Sequence, residues 1–447
     1  MKVLETALVI CPNWDINFPP YGISLLAGIL NSTNLVNAQC FDFNKDLFNN
    51  TGKNHPMWDD VSLYPYWLDQ KNVDKVFNEH PQFIEECIQK LIPFKFIGFS
   101  CFSLNLLFTI KLASIIKQRF PEKILLAGGP ECNPSFSDLI YRAKVFDAIC
   151  TGEAEDSLPS LIANYAKTNC LEAKGFQTLS PDGEYRNPGE CRTMTKLDDL
   201  AFADFSYLGH TAKTFNTSTS RGCVRDCSYC PEKAIWGNYR WRSANSTVQE
   251  LLQLRSNFKD IDFVYFNDDL VNGNMRELER MCDLLIENNW NVGWGGHALV
   301  RDRWTDTLLE KIKKTNGQRF NFGIESGSNR ILGLMKKMFK IEQAYDLFER
   351  MHYHQISFSI NLIICGAGET QEDFEATRML AKTAKKYTDY IHINPCIVLK
   401  GTDLYRNPDK WDITFGENFV TEWESLDKTN TLEIRLKKAR QLIEEIG

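Results

Sequence analysis

An α/β protein in two parts is what this sequence predicts: an amino-terminal doubly wound parallel sheet, then a partial (β/α)6 barrel, then a short helical tail. Two series of short apolar runs alternating with amphipathic stretches carry that reading, because strands separated by helices pack as a parallel sheet covered by those helices. The length agrees, since 447 residues exceed one ordinary core and call for two or three domains.

In the first series, apolar runs predict strands at 7–11, 38–43, 96–100, 123–127 and 148–151, and 3.6-residue periodicity predicts helices at 23–30, 84–91, 106–118 and 157–166. The stretch 44–81 interrupts the rhythm. Its Trp58, Tyr64, Tyr66 and Trp67 predict a packed excursion rather than a floppy tail. From 171 to 214 the pattern weakens to a linker with one small hairpin, 176–185, turning at Pro181-Asp-Gly183. The second series has strands at 215–218, 262–266, 291–294, 319–324, 357–363 and 390–394, with helices at 248–258, 276–288, 305–314, 341–352 and 372–386. Strands and helices in that order predict a partial parallel barrel, whose strand carboxyl ends conventionally carry the chemistry. The expected domains are 1–170, a linker at 171–214, the barrel at 215–400, and a tail at 401–447 with a helix at 432–446.

Apolar residues at 43% and charged residues at 24% are ordinary globular usage and exclude a disordered or fibrous chain. A net charge of −7 and a pI near 5.7 argue against a nucleic-acid binder. Apolar runs such as 22–30 are too short to span a bilayer, and Glu5 interrupts the first apolar stretch, so no secretory signal is expected. A cytoplasmic location follows, and with it free thiols rather than a disulfide framework.

Of the fourteen cysteines, most stand singly. Cys11, Cys40, Cys101, Cys150 and Cys365 sit in or beside apolar strand-like runs, where a free thiol behaves as a small hydrophobe. Three others are crowded into Ser220-Arg-Gly-Cys223-Val-Arg-Asp-Cys227-Ser-Tyr-Cys230-Pro231. Soft thiolates on one loop suit iron or zinc. A structural zinc site wants four protein ligands, but Cys191 and Cys282 are far along the chain and His210 is unpaired. A 4Fe–4S cube on three cysteines would keep one iron open, which is the mark of a catalytic metal.

The Cys-x3-Cys-x2-Cys spacing, with aromatic Tyr229 before the last cysteine and a strand just upstream, resembles the radical S-adenosylmethionine (SAM) superfamily. The resemblance implies that Cys223, Cys227 and Cys230 hold a 4Fe–4S cluster whose open iron binds the amino and carboxylate groups of SAM. Reduction then splits a carbon–sulfur bond and yields a 5′-deoxyadenosyl radical, the cofactor supplying the hard chemistry. It further implies SAM contacts from Tyr229, from Asp268 and Asp269 after the second barrel strand, from Glu325 and Ser326 after the fourth, and from Gly366 after the fifth. By residue type alone, the aspartates are equally a helix cap. Likewise Ile364-Cys-Gly366-Ala-Gly368-Glu-Thr370 is equally a strand-to-helix turn with Thr370 as N-cap.

Parallel sheets bind ligands at the carboxyl ends of their strands, which in the first series are followed by 12–22, 100–105, Gly128-Gly129-Pro130 and Gly152-Glu153. Glycines there let backbone approach a bulky ligand, or are simple turns; Ser100, Ser103 and Asn105 offer hydrogen bonds. Ahead of a barrel, Pro19-Pro20-Tyr-Gly22, Gly98-Phe-Ser100, Ala127-Gly128-Gly129-Pro130 and Thr151-Gly152-Glu153 resemble the cobalamin-binding, Rossmann-like domain of class B radical SAM methyltransferase-like enzymes. That resemblance covers about residues 1–400 and implies cobalamin contacts at Pro20, Gly22, Ser100, Ser103, Asn105, Gly128, Gly129, Pro130, Gly152 and Glu153. The Asp-x-His-x-x-Gly motif of methionine-synthase-type domains is missing, and His55 and His80 lie in no such motif. Cobalamin is thus expected without a histidine beneath the metal, or else the domain is degenerate and no longer binds it.

As a whole the resemblance implies a cobalamin-dependent radical SAM enzyme that methylates an unactivated carbon of a small-molecule or peptide substrate. An external one-electron reductant such as flavodoxin or ferredoxin would feed it, with no nucleic-acid partner. A rearrangement, ring contraction or cyclisation without methyl transfer is the alternative inside the class. A non-catalytic iron–sulfur carrier or sensor is the alternative outside it, although a carrier has no use for a barrel cavity. The amino-terminal half has no second cysteine triad for another cluster, which argues against methylthio transfer. His297 and Arg301, after the third barrel strand, face either the cavity or a packing environment; His352 and His354 are read as surface. Trp236, Trp241, Trp290 and Trp294 stack on a substrate or, as is commoner, pack in the core.

Overall fold

The structure is a computed structural model that describes residues 3–446 apart from 34, 53–55, 59–65, 137, 187, 188, 190–192, 209–211, 418 and 419. His55, Tyr64, Cys191 and His210 lie outside the described residues. The chain divides into two units, Met1–Asn216 and Thr217–Gly447.

In the first unit β1 (Leu4–Ile10), β2 (Val36–Asp42), β3 (Phe96–Ser100), β4 (Ile124–Gly128) and β5 (Ala148–Cys150) pair in parallel in the order β2-β1-β3-β4-β5. Alternation along each strand feeds two cores. On β1, Ala7 and Val9 join one apolar cluster while Leu8 and Ile10 join the other, so the sheet is covered on both faces as expected. The expected excursion is packed: Trp67 is buried, its Nε1 donates to the Met57 carbonyl at 2.9 Å, and its ring lies 5.7 Å from that of Trp58.

The 176–185 hairpin departs from the expected linker. Its strands β6 (Phe176–Leu179) and β7 (Tyr185–Arg186) extend the first sheet, with Ala148 opposite Thr178 and Cys150 opposite Phe176. An edge strand as short as β5 leaves backbone groups open, and an antiparallel hairpin satisfies them. The first unit therefore runs on to Asn216 instead of ending at 170. Strand order reverses between β1 and β3, so the loops after those strands flank the switch point where open α/β sheets take ligands. There Trp14, after β1, packs its ring 4.4 Å from Phe102, after β3.

The second sheet contains β8 (Thr214–Thr217), β11 (Phe263–Phe266), β12 (Gly293–Ala298), β13 (Phe320–Glu325), β14 (Phe358–Ile364) and β15 (Tyr390–Pro395) in sequential order. A short antiparallel pair, β9 (Ser220–Arg221) and β10 (Arg240–Trp241), brackets the cysteine loop. One face of the barrel strands is aromatic and lies under the helices. Trp294 donates from Nε1 to the Thr315 carbonyl at 3.0 Å, and Phe348 of the helix Ile341–Tyr353 stacks on Phe358 at 5.4 Å.

β12 outruns the expected strand, which stopped at Trp294. The expected strand ended before Gly295 and Gly296, yet both are strand residues squeezed between neighbours. A Cβ on Gly296 would stand 2.9 Å from the Phe266 carbonyl oxygen, and one on Gly295 would stand 3.0 Å from that of Arg319. His297 consequently lies within the strand rather than after it. The tail belongs to this unit. Arg435, on the helix Leu432–Ile446, is fully buried with its guanidinium 4.0 Å over Trp423, and it donates to the Thr421 and Trp423 carbonyls at 2.6 and 2.9 Å. Trp423 belongs to the small ribbon of β16 (Ile413–Phe415) and β17 (Trp423–Ser425). Among the described residues no helix is long and apolar enough to cross a membrane.

One buried ion pair ties this barrel together. Glu250, on the helix Ala244–Asn257, accepts from Arg242 and, at 2.7 Å, from the Thr217 hydroxyl at the end of β8. Both charged side chains are almost fully buried, so removing one strands the other. Glu250→Ala is expected to cost about 3–5 kcal/mol in urea unfolding. Glu250→Gln, which keeps a hydrogen-bonding group, should cost less.

Candidate functional site

The cysteine loop leaves β9 through Gly222, whose φ of +74° is left-handed, and runs into the short helix Glu232–Trp236. Backbone bonds shape it: Cys230 N–H donates to the Cys227 carbonyl at 3.2 Å, Ser228 N–H to Met335 at 3.3 Å, and Arg225 N–H to the Cys223 sulfur at 3.4 Å. All three thiols are half-buried. Burial pushes the Cys223 thiol up to about 11, with Asp269 and Cys227 adding to the rise. Cys227 and Cys230 are raised as well, chiefly by burial. The sulfurs sit close enough to disfavour one another's ionisation. Such thiols stay protonated unless a metal displaces the protons. Among the described residues no three His, Cys, Asp or Glu side chains are grouped to hold a single metal ion.

Tyr229 turns its hydroxyl to Glu325, donating to Oε1 at 2.8 Å. Glu325 closes β13 at a register shift, in a left-handed backbone with φ of +72°, and its carboxylate is buried. A non-glycine residue in that conformation at a bulge is a strained feature of the kind that collects at functional sites. Gly323 makes room for it, since a Cβ there would run into Oε1. The charge is met by Lys337, whose Nζ lies 3.2 Å from both Oε1 and the Tyr229 hydroxyl. Burial alone would lower the Lys337 pKa, yet Glu325 and Cys227 outweigh it and raise it.

Sequence reasoning missed Lys337. Nothing in Met335-Lys-Lys337-Met338 marks it as buried. Left-handed backbone at Lys336 and Met338, φ of +58° each, accompanies the turn that buries it.

The other expected SAM contacts fall into two groups. Asp269 is half-buried beside Glu232, burial and that neighbour holding its carboxyl well above the usual range, and its Oδ2 has no hydrogen-bond partner among the described residues. Glu232 is a second acid the sequence did not single out. In contrast, Asp268, Ser326 and Gly366 are engaged within the fold. Asp268 is buried and accepts from Thr219 N–H at 2.7 Å, from the Thr219 hydroxyl and from the Ser220 hydroxyl at 3.0 Å, so it pins the entry to the cysteine loop to the end of β11. Burial pushes its carboxyl up to about 6 against the pull of those Thr219 bonds. Ser326 is fully buried, 3.0 Å from the Thr377 hydroxyl and accepting from Ser328 N–H at 3.1 Å. Gly366 donates its N–H to Glu369 at 3.3 Å in the turn after β14, and Thr370 is indeed the N-cap of the next helix. Glu369, also not singled out, is held up at about 7 by burial.

His297 is half-buried inside β12, Arg301 donates to the Asn272 and Gly273 carbonyls at 2.8 and 2.9 Å, and Trp290 and Trp294 are core residues. Trp241 is exposed, and Trp236 is half-buried under Arg221. His352 is exposed, whereas His354 is mostly covered and lies 3.3 Å from Asp306.

In the first unit the expected cobalamin contacts line the carboxyl edge of the sheet. Gly22, Ser103, Gly129 and Gly152 are exposed there, and Ser100, Gly128, Pro130 and Glu153 are half-exposed. Pro20 and Asn105 are buried. Pro20 caps the helix Tyr21–Asn31, and Asn105 bridges its own loop, donating to the Ser100 carbonyl at 3.0 Å and accepting from Phe102 N–H at 2.8 Å. Gly129 is required by packing, because at φ of +108° a Cβ would lie 2.6 Å from the Cys101 carbonyl oxygen. Ser103 donates to Glu131 at 2.5 Å. His80 sits at the start of the helix Pro81–Leu91, away from these loops in sequence.

The second unit thus carries three clustered thiols close to two acids, Asp269 and Glu232, beside a six-stranded sheet. Residues 217–381 match the radical SAM superfamily. The anaerobic magnesium-protoporphyrin IX monomethyl ester cyclase of Rubrivivax gelatinosus is 24% identical over 282 residues, 60% of this chain and 50% of the cyclase. Among solved structures, the cobalamin-dependent S-adenosylmethionine radical enzyme OxsB with aqua-cobalamin bound superposes with a TM-score of 0.68 at 16% identity, covering 97% of this chain and 64% of OxsB. The radical S-adenosylmethionine methyltransferase TsrM from Kitasatospora setae, with cobalamin and a [4Fe-4S] cluster bound, also gives 0.68, at 12% identity over 98% of this chain and 85% of TsrM. The chain thus spans about half to two-thirds of the cyclase and of OxsB, and at these identities the structural likenesses establish the fold.

Two outcomes are expected from these contacts. Lys337→Met leaves Glu325 buried without its cation and should lower stability by about 3–5 kcal/mol in urea unfolding, with much of the loss recovered in Lys337→Met/Glu325→Gln. Asp373 receives Ser328 Oγ at 2.5 Å, Thr370 N–H at 2.9 Å and the Arg330 guanidinium, anchoring the loop after Ser326. Burial alone would raise its pKa, but Arg330 and Ser328 depress it well below the usual carboxylate range. A depressed carboxyl contributes stability above its unfolded pKa of about 3.9 and loses it as the pH falls. Asp373→Asn should therefore destabilise by about 2 kcal/mol at pH 7 and converge with the parent as the pH drops below about 4, read from thermal midpoints.

Proposed function

We propose that this protein is a cobalamin-dependent radical SAM enzyme and, within that class, a C-methyltransferase acting on an unactivated carbon. The observation that carries the reading is the cysteine loop itself: three neighbouring soft donors beside a buried acceptor, Asp269 Oδ2, that has no hydrogen-bond partner among the described residues. Thiolate chemistry suits an iron–sulfur cluster, and an unmet acidic oxygen suits the cationic amino acid end of SAM. Cys223, Cys227 and Cys230 would hold the cluster, with Asp269, Tyr229 and Glu325 nearest to SAM. When bound, these cofactors supply an electron, a carbon radical and a methyl carrier.

The chain's own residues do the rest. Asp268 fixes the loop's entry and Lys337 holds Tyr229 and Glu325 in register, so the site is set before a ligand arrives. In the first unit the exposed edge formed by Gly22, Ser103, Gly129 and Gly152 is open enough for a broad cofactor to lie against backbone. The same fold in OxsB and TsrM supports cobalamin there. Transfer of a methyl group is favoured by the likeness to TsrM. The likeness to a cyclase favours a second reading, ring formation without methyl transfer.

Cys223→Ala, Cys227→Ala and Cys230→Ala should each lose iron and abolish 5′-deoxyadenosine formation in anaerobically reconstituted protein while keeping a native circular-dichroism spectrum. Cleavage of SAM that persisted in all three would falsify the site. With substrate present, S-adenosylhomocysteine formed alongside 5′-deoxyadenosine supports methyl transfer, whereas 5′-deoxyadenosine alone supports cyclisation or rearrangement.

A further inference from the structure

The two faces of the barrel strands differ in character. On the helix side Phe266, Trp294, Phe322, Phe358 and Ile360 are fully buried. On the opposite face the parallel register sets Tyr265 beside Gly295, His297 beside Asn321, Asn321 beside Ser359, and Asn361 beside His392. Residues paired in a parallel ladder point the same way, so these polar side chains form one continuous belt across β11 to β15. All of these side chains are half-buried, and Asn321 Oδ1 is a buried acceptor with no hydrogen-bond partner among the described residues.

An apolar core would put Val, Ile or Leu at such positions; an inward belt of amides, a hydroxyl and imidazoles leaves hydrogen-bonding capacity that a bound molecule must meet. The belt is also uncharged. Burial, reinforced by His392, lowers the His297 pKa to about 4, and burial lowers that of His392. Each neutral ring therefore offers one donor and one acceptor near pH 7. Tyr265 meets His297 edge-on at 5.9 Å, which orients the ring. The carboxylate on this side, Glu325, is already paired with Lys337. Asn321 lies four residues, about 13 Å, down β13 from Glu325, so the belt is distinct from the cysteine-side residues.

We propose that this inner belt, centred on His297, Asn321 and His392, is the substrate-binding surface, and that it takes an uncharged molecule dense in amide or hydroxyl groups rather than a hydrocarbon or a multiply charged anion. The inference rests on the enzymatic reading above and adds to it the chemical class of the substrate.

Equilibrium dialysis of the anaerobically reconstituted protein against one defined mixture tests it, with mass spectrometry as the readout. The mixture contains uridine, N-acetylglucosamine and N-acetyltryptophan amide as neutral polar probes, geraniol as an apolar probe, and citrate as an anion. At least one neutral polar probe should concentrate with the protein, and its affinity should fall about tenfold or more in His297→Leu/Asn321→Leu, the loss of two hydrogen bonds. Iron content should be unchanged in that variant. The same probe should slow diethylpyrocarbonate modification of His297 and His392 in the unaltered protein, a readout that stands even if the double variant fails to fold. Retention of geraniol or citrate instead, retention of no neutral polar probe, or undiminished binding and no histidine protection would overturn the proposal. Failure of the enzymatic reading shows separately, as reconstituted protein that cleaves no SAM, and leaves the dialysis result standing.

Discussion

Glu325 sits in a left-handed backbone at a bulge, buried, within reach of a tyrosine from the cysteine loop. None of this holds without Lys337, because a carboxylate taken out of water with no cation beside it costs more than the fold can spare. The same ammonium supports Tyr229, the residue just before the last clustered cysteine. One lysine thereby links the end of β13 to the loop that carries the thiols. The position of the loop relative to the barrel depends on that contact, together with the clasp of Asp268 on Thr219 and Ser220.

These contacts have a common logic. Buried thiols resist ionisation, and each disfavours the next, so the loop cannot be stabilised by its own sulfurs until a metal arrives. Its shape is instead held from outside by the Tyr229–Glu325–Lys337 contacts and by the clasp of Asp268. Among the buried groups without a hydrogen-bond partner in the described residues are Asp269 Oδ2, near the loop, and Asn321 Oδ1, along the strands. Buried acceptors without partners are rare in folded proteins, so these two are candidates for meeting a ligand.

The first unit solves a simpler problem. Its sheet is buried on both faces, and the loops after β1 and β3 are braced by local contacts such as Asn105 across its own turn and Trp14 against Phe102. Gly22, Ser103, Gly129 and Gly152 are nonetheless exposed at the edge where parallel sheets take ligands.

The alternation of strands and helices, the packed aromatic excursion and the cysteine triad were all legible in the sequence, because they depend on local periodicity and short spacing that any fold must respect. The hairpin at 176–185 was legible as a hairpin but not as the edge of a sheet, since what it pairs with is a tertiary matter. The third barrel strand was expected to end at Trp294, because glycine in sequence signals a turn as readily as a close approach, and only the neighbouring strands show Gly295 and Gly296 to be the latter. Asp268 and Asp269 are adjacent and chemically identical, yet one is clasped by three donors and the other keeps a free oxygen. Lys337 and His392 gave no sign at all. A lysine becomes a buried counter-ion, and a histidine a neutral hydrogen-bonding group, only when residues distant along the chain remove the water around them, and that desolvation is a property of the assembled structure.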